Sequence, residues 1–81
     1  MTSPARILII DDDPIIRMLA SSALSDVGHT VTEAESAEAA IDVLAESRPD
    51  LIVLDLVMPG MDGMAFCAWL SEATGLQVSL P

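Results

Sequence analysis

The chain has 81 residues and a formal charge of −10, from 13 Asp and Glu against Arg6, Arg17 and Arg48. That length holds one domain near the lower limit for a single core, and that charge repels phosphate backbones and anionic lipid, so nucleic acid and membrane surfaces are not expected as partners. No apolar run reaches the roughly 18 residues that span a bilayer, the start is too short for a signal peptide, and Cys67 and His29 are single residues that cannot build a disulfide or a zinc site.

The expected location is therefore the cytoplasm. Hydrophobic content of 52% with two aromatics, Phe66 and Trp69, leaves two options: a core packed from small side chains, or apolar surface reserved for a partner.

In chain order, Ile7-Leu8-Ile9-Ile10 is a first strand that runs into Asp11-Asp12-Asp13. A four-residue apolar run with no polar break suits a central parallel strand covered on both faces. Asp13 then caps a helix whose first position is Pro14, and Ile16, Leu19, Ala20, Ala23, Leu24 and Val27 recur at helical spacing up to Gly28. His29 to Glu33 alternates polar and apolar residues and is expected as an edge strand. Ser36 caps a second helix with Ala37, Ala40, Ile41 and Leu44 on its apolar stripe and Glu38, Asp42 and Glu46 outside.

Arg48-Pro49-Asp50 ends that helix and starts a third strand, Leu51-Ile52-Val53-Leu54, which runs into Asp55. A Pro- and Gly-rich loop from Leu56 to Gly63 leads to a third helix, about Met64 to Ala73, closed by Gly75. Phe66, Cys67, Trp69 and Leu70 wrap too far round that helix for one narrow stripe, so part of this set is expected at the surface. Leu76 to Pro81 starts a fourth strand without completing it.

The pattern β-α-β-α-β-α is that of a parallel α/β sheet with right-handed crossovers, a partial doubly wound fold. Three strands in the order 2-1-3 leave the outer edge of the third unpaired. The expectation is completion by dimerisation or strand exchange, a homodimer through the third strand and third helix.

In such sheets ligands bind at the carboxyl ends of the strands, where Asp11, Asp12 and Asp55 fall. Three close carboxylates raise one another's pKa values unless a cation compensates. Oxygen-only donors at a water-accessible site select Mg²⁺, held by Asp11 and Asp12, and leave Asp55 as the nucleophile toward a phosphoryl group.

Three segments, Ile7 to Pro14, Pro49 to Asp55 and Met58-Pro59-Gly60-Met61-Asp62-Gly63, together resemble the receiver domain of two-component response regulators. The resemblance implies a flavodoxin-like fold, Asp55 as phosphoacceptor, Asp11 and Asp12 as the acid pair, and the Val57 carbonyl as a further metal ligand beside Asp55. It also implies a histidine kinase or phosphotransfer protein as donor, and a signalling domain whose only chemistry is autophosphorylation and autodephosphorylation, not an enzyme. Residues 1–81 are expected to form a single truncated receiver domain, without the family's later switch hydroxyl and lysine.

Two other readings stand beside this one. One is a phosphorylation-independent module that binds a histidine kinase or another receiver. The other is a phosphohydrolase of the haloacid dehalogenase type, to which Asp11-Asp12-Asp13 after an apolar strand is similar, although Ile15 stands where a hydroxyl belongs.

Overall fold

The apolar runs form the middle of a parallel sheet. The computed structural model describes residues 4–55 and 62–80. Within them, β1 (Arg6–Ile10), α1 (Pro14–Asp26), β2 (Thr30–Ala34), α2 (Ala37–Glu46), β3 (Leu51–Leu54), α3 (Gly63–Thr74) and β4 (Val78–Ser79) follow in order. The sheet order is β2-β1-β3-β4, with all neighbours parallel. Ile10 pairs with Ala34 on one side and Leu54 on the other, so β1 and β3 end level and their next residues, Asp11 and Asp55, start together.

The expected order 2-1-3 holds, and β2 is the edge strand foreseen from its alternation. The outer edge of β3 departs from expectation. Val78 and Ser79 align with Ile52 and Val53, so the chain supplies its own fourth strand over two residues where an open edge for dimerisation was expected. Leu76 and Val78 pack against the core and hold the tail there. β2 begins one residue later than predicted, because His29 is used by the preceding turn: its backbone N–H donates to the Leu24 carbonyl and its Nδ1 accepts from the Ala5 N–H at 3.0 Å.

Each helix starts where a capping side chain allows. Asp13 Oδ1 accepts from the Ile15 and Ile16 N–H groups, Ser36 Oγ from Ala39, and Asp62 Oδ1 from Met64 and Ala65. Pro14 and Gly63 occupy first helical positions, and Gly75 ends α3 with φ of 69°, in the left-handed region where a side chain would be strained.

Alternation along the strands sorts side chains onto two faces. Leu8, Ile10, Ile52 and Leu54 are fully buried with Ala40 of α2 and Leu70 of α3. Ile7 and Ile9 point the other way, toward α1, and are also buried. Four consecutive buried residues in β1 are what coverage on both faces requires.

The stripe expected to bury α1 does not behave as predicted. Ala20 and Leu24 are half-buried, but Ile16, Leu19, Ala23 and Val27 are exposed, and the helix has no fully buried residue. The inward side of the helix instead carries Arg17 and Ser21 with Ala20 and Leu24, because the Arg17 guanidinium is drawn to the carboxyl end of β1.

Candidate acidic metal-binding site

Asp11, Asp12 and Asp55 are brought together at the carboxyl ends of β1 and β3, with one oxygen from each lying within 4.8 Å of the others. Their environments differ. Asp11 is 8% exposed, Asp55 is half-buried and Asp12 is open to solvent. The backbone fixes two of them: the Asp11 N–H donates to the Ala34 carbonyl at 3.1 Å and the Asp55 N–H to the Ile10 carbonyl at 3.0 Å, which extends the ladder one residue past each strand.

Asp11 carries the electrostatic strain of the cluster. Its carboxyl is pushed above the ordinary aspartate range, first by burial, then by the Asp55 charge, by a hydrogen bond to Asp55 that favours its protonated form, and by Asp12. The Asp13 N–H opposes this by donating to Asp11 Oδ1 at 2.9 Å. Asp13 therefore serves twice, with its side chain as helix cap and its backbone as ligand to the neighbouring acid.

Arg17 is the residue that pattern reading missed. Its Nη1 donates to the Asp11 carbonyl at 2.7 Å and its Nε to Glu33 Oε1 at 3.1 Å, so it ties the end of β1 to edge strand β2 behind the acids. The signal was available: position 17 lies one helical turn past the cap, on the side that faces the strand ends.

Val57 lies outside the described residues, as do Met58, Pro59, Gly60 and Met61 of the loop. Asp62 is described, and its carboxylate caps α3.

The donor set is all oxygen, partly wet and too negative to be comfortable alone. That combination fits a hard divalent cation that keeps some of its own waters, with Asp11, Asp12 and Asp55 as the holding residues. The cluster lies at the carboxyl end of the sheet, directly after the fully buried Ile10 and Leu54 that end β1 and β3.

Comparison with known proteins gives a consistent set of relatives. Residues 7–80 match the family model described as the response regulator receiver domain. The chain is 42% identical over 72 residues to the response regulator MprA of Mycolicibacterium vanbaalenii, a match that covers 89% of this chain and 31% of that protein. Among solved structures it resembles the response regulator TrrA of Thermotoga maritima, in complex with Mg²⁺-BeF, with a TM-score of 0.82, 31% identity, and coverage of 90% of this chain and 64% of that one. NtrX of Brucella abortus superposes with a TM-score of 0.90 at 32% identity over 96% of this chain and 18% of its own. The chain thus spans about a third of the length of the curated relatives it matches. Among the described residues no helix is long and apolar enough to cross a membrane.

Proposed function

Because the chain belongs to the response regulator receiver domain family of two-component signalling, we propose that it accepts a phosphoryl group on Asp55, with Mg²⁺ held by Asp11, Asp12, Asp55 and the Val57 carbonyl. The observation that carries the reading is the three-carboxylate cluster at the level ends of β1 and β3. The TrrA complex with Mg²⁺-BeF supports the choice of ion. A bound cation supplies positive charge that offsets the cluster and the incoming phosphoryl oxygens.

The protein's own residues do the rest. Asp55 sits one residue past the ladder, anchored by its N–H to Ile10, so its carboxylate is presented from a rigid strand end. Among the described residues Asp11 is the most buried acid, and it would hold the cation together with Asp12, which is open to solvent. With a phosphohistidine donor from a histidine kinase or phosphotransfer protein, an Asp55 oxygen bonds to phosphorus as the P–N bond breaks. The released imidazole takes up a proton.

The test is intact-protein mass after incubation with Mg²⁺ and acetyl phosphate, beside Asp55→Asn. A single phosphoryl adduct on the wild type alone is expected. No adduct on a chain shown folded by circular dichroism would move the protein to the phosphorylation-independent binding module.

A further inference from the structure

A second surface lies between α2 and α3, toward their C-terminal ends and away from the acid cluster. Ile41, Leu44 and Ala45 of α2 and Trp69 and Ala73 of α3 line a groove of about 310 Å³, with Arg48 at its lower end. Two of its large apolar side chains remain open, Ile41 at 43% and Trp69 at 47% exposure, although the core beneath them is fully closed at Leu54 and Leu70. Trp69 is held in place by stacking on Phe66, with ring centroids 5.9 Å apart. A rigid, half-exposed tryptophan at the centre of an apolar trough is the kind of residue that dominates binding energy in protein interfaces.

The charge around the groove selects its occupant. Glu38 and Asp42 lie beside Ile41 and Ala45 on the helical wheel of α2, and Glu72 beside Trp69 on α3, so acids flank the trough on both sides. Neither helix has a basic residue in its last turn, so both carbonyl ends add negative potential, and among the described residues Arg48 is the cation that lines the groove. A second copy of this chain would bring a further net charge of −10 to an acidic rim, which disfavours self-pairing here. We infer that the α2–α3 groove docks an amphipathic helix of a partner protein that presents apolar residues to Trp69 and Ile41 and Lys or Arg on both flanks to Glu38, Asp42 and Glu72. A helix laid between two others buries an i, i+3, i+4 row of apolar side chains. The surface is separate from the carboxylate cluster, so the inference stands independently of phosphoryl transfer.

Trp69 is the only tryptophan and reports directly on occupancy. The probe is a synthetic Leu/Lys peptide with heptad-spaced leucines, titrated into the full chain while Trp69 emission is followed, beside a peptide of the same composition with scrambled order. A saturable blue shift with the amphipathic peptide alone is expected, weakening as salt rises. Ile41→Ser should reduce affinity by about tenfold through lost apolar burial. Asp42→Asn with Glu72→Gln should reduce it by about threefold per charge and flatten the salt dependence. Leu19→Asp, on exposed α1, should leave binding unchanged, and circular dichroism confirms that each variant is folded. An equal shift with the scrambled peptide, or no effect of Ile41→Ser and the rim pair, overturns the proposal. So does tighter binding of lauric acid that is lost in Arg48→Ala, which would assign the groove to an anionic amphiphile.

Discussion

The two faces of the sheet are built to different standards. On the α2–α3 face, Leu8, Ile10, Ile52 and Leu54 are sealed by Ala40 and Leu70. On the opposite face, among the described residues, α1 packs on β1 and β2, and Ile15, Ile16, Met18 and Leu19 of that helix are more than half exposed. The comparison shows where folding free energy is concentrated and what the rest of the chain does. One face supplies the core. The other supplies the cap and the arginine that hold Asp11 in place. The acid cluster sits at the seam, fixed by strand ends that belong to the strong face and trimmed by residues of the weak one.

The sharpest way to break the contrast is to remove a buried side chain from the strong face. Ile52→Ala or Leu8→Ala is expected to cost about 2–5 kcal/mol by lost burial and the cavity left behind. For a chain this short that is most or all of its stability, because small domains hold only a few kcal/mol in reserve. Urea denaturation followed by circular dichroism should show a collapsed midpoint or no cooperative transition. A loss below about 1 kcal/mol would mean that the two faces are equivalent after all.

The weak face has one local interaction worth nearly as much as a small core deletion. Asp13→Ala removes the acceptor for two α1 N–H groups and is expected to cost about 1 kcal/mol. Asp62→Ala, the matching change at α3, should cost a similar amount. Equal losses in the two variants would show that α1 is anchored at its start as firmly as α3, and that its weakness is confined to its side.

The seam is probed by pH. Asp11 is raised above the ordinary aspartate value of 3.8, so the folded state holds its proton more tightly than the unfolded chain does. Stability from this group is then fully present below that ordinary value and falls as pH rises through the raised one. Cation binding favours the ionised form, so added Mg²⁺ should oppose the fall and its affinity should drop in acid. Denaturation midpoints measured across this window, for wild type and Asp11→Asn, isolate the contribution by difference. Identical pH slopes for the two proteins would refute it.

Much of this was legible in the residues. Unbroken apolar runs at Ile7 and Leu51 fixed the two central strands, and the acids that follow each run fixed the cluster, because parallel strands in level register deliver their next residues to one place. Caps at Asp13 and Ser36 set helix starts to the residue. The exposure within the set Phe66, Cys67, Trp69 and Leu70, which falls on Trp69, was also readable, from apolar residues that wrap too far round a helix. What was not readable depended on contacts distant in sequence. Leu76 to Pro81 was readable as the start of a strand, but its pairing with β3 depends on the core side chains that Leu76 and Val78 find. The inward side of α1 was misread because periodicity records which residues share a side and not whether anything covers it; Arg17, drawn to the Asp11 carbonyl, decided the rotation.

That rotation makes the smallest prediction the most discriminating one. Leu19 is 58% exposed, so Leu19→Ala gives up little burial and keeps a strong helix former. Its effect on stability should lie within about 0.5 kcal/mol, against several for the equally apolar Leu8. The measurement is the urea midpoint of Leu19→Ala at two protein concentrations tenfold apart. A loss above about 1 kcal/mol that grows with concentration would mean that another chain covers α1 in solution, and a loss independent of concentration would mean that α1 packs more closely on the sheet than its exposure indicates. A null effect at both concentrations leaves α1 as an uncovered helix held by its cap and by Arg17, with the sheet's stability resting on the face it does not touch.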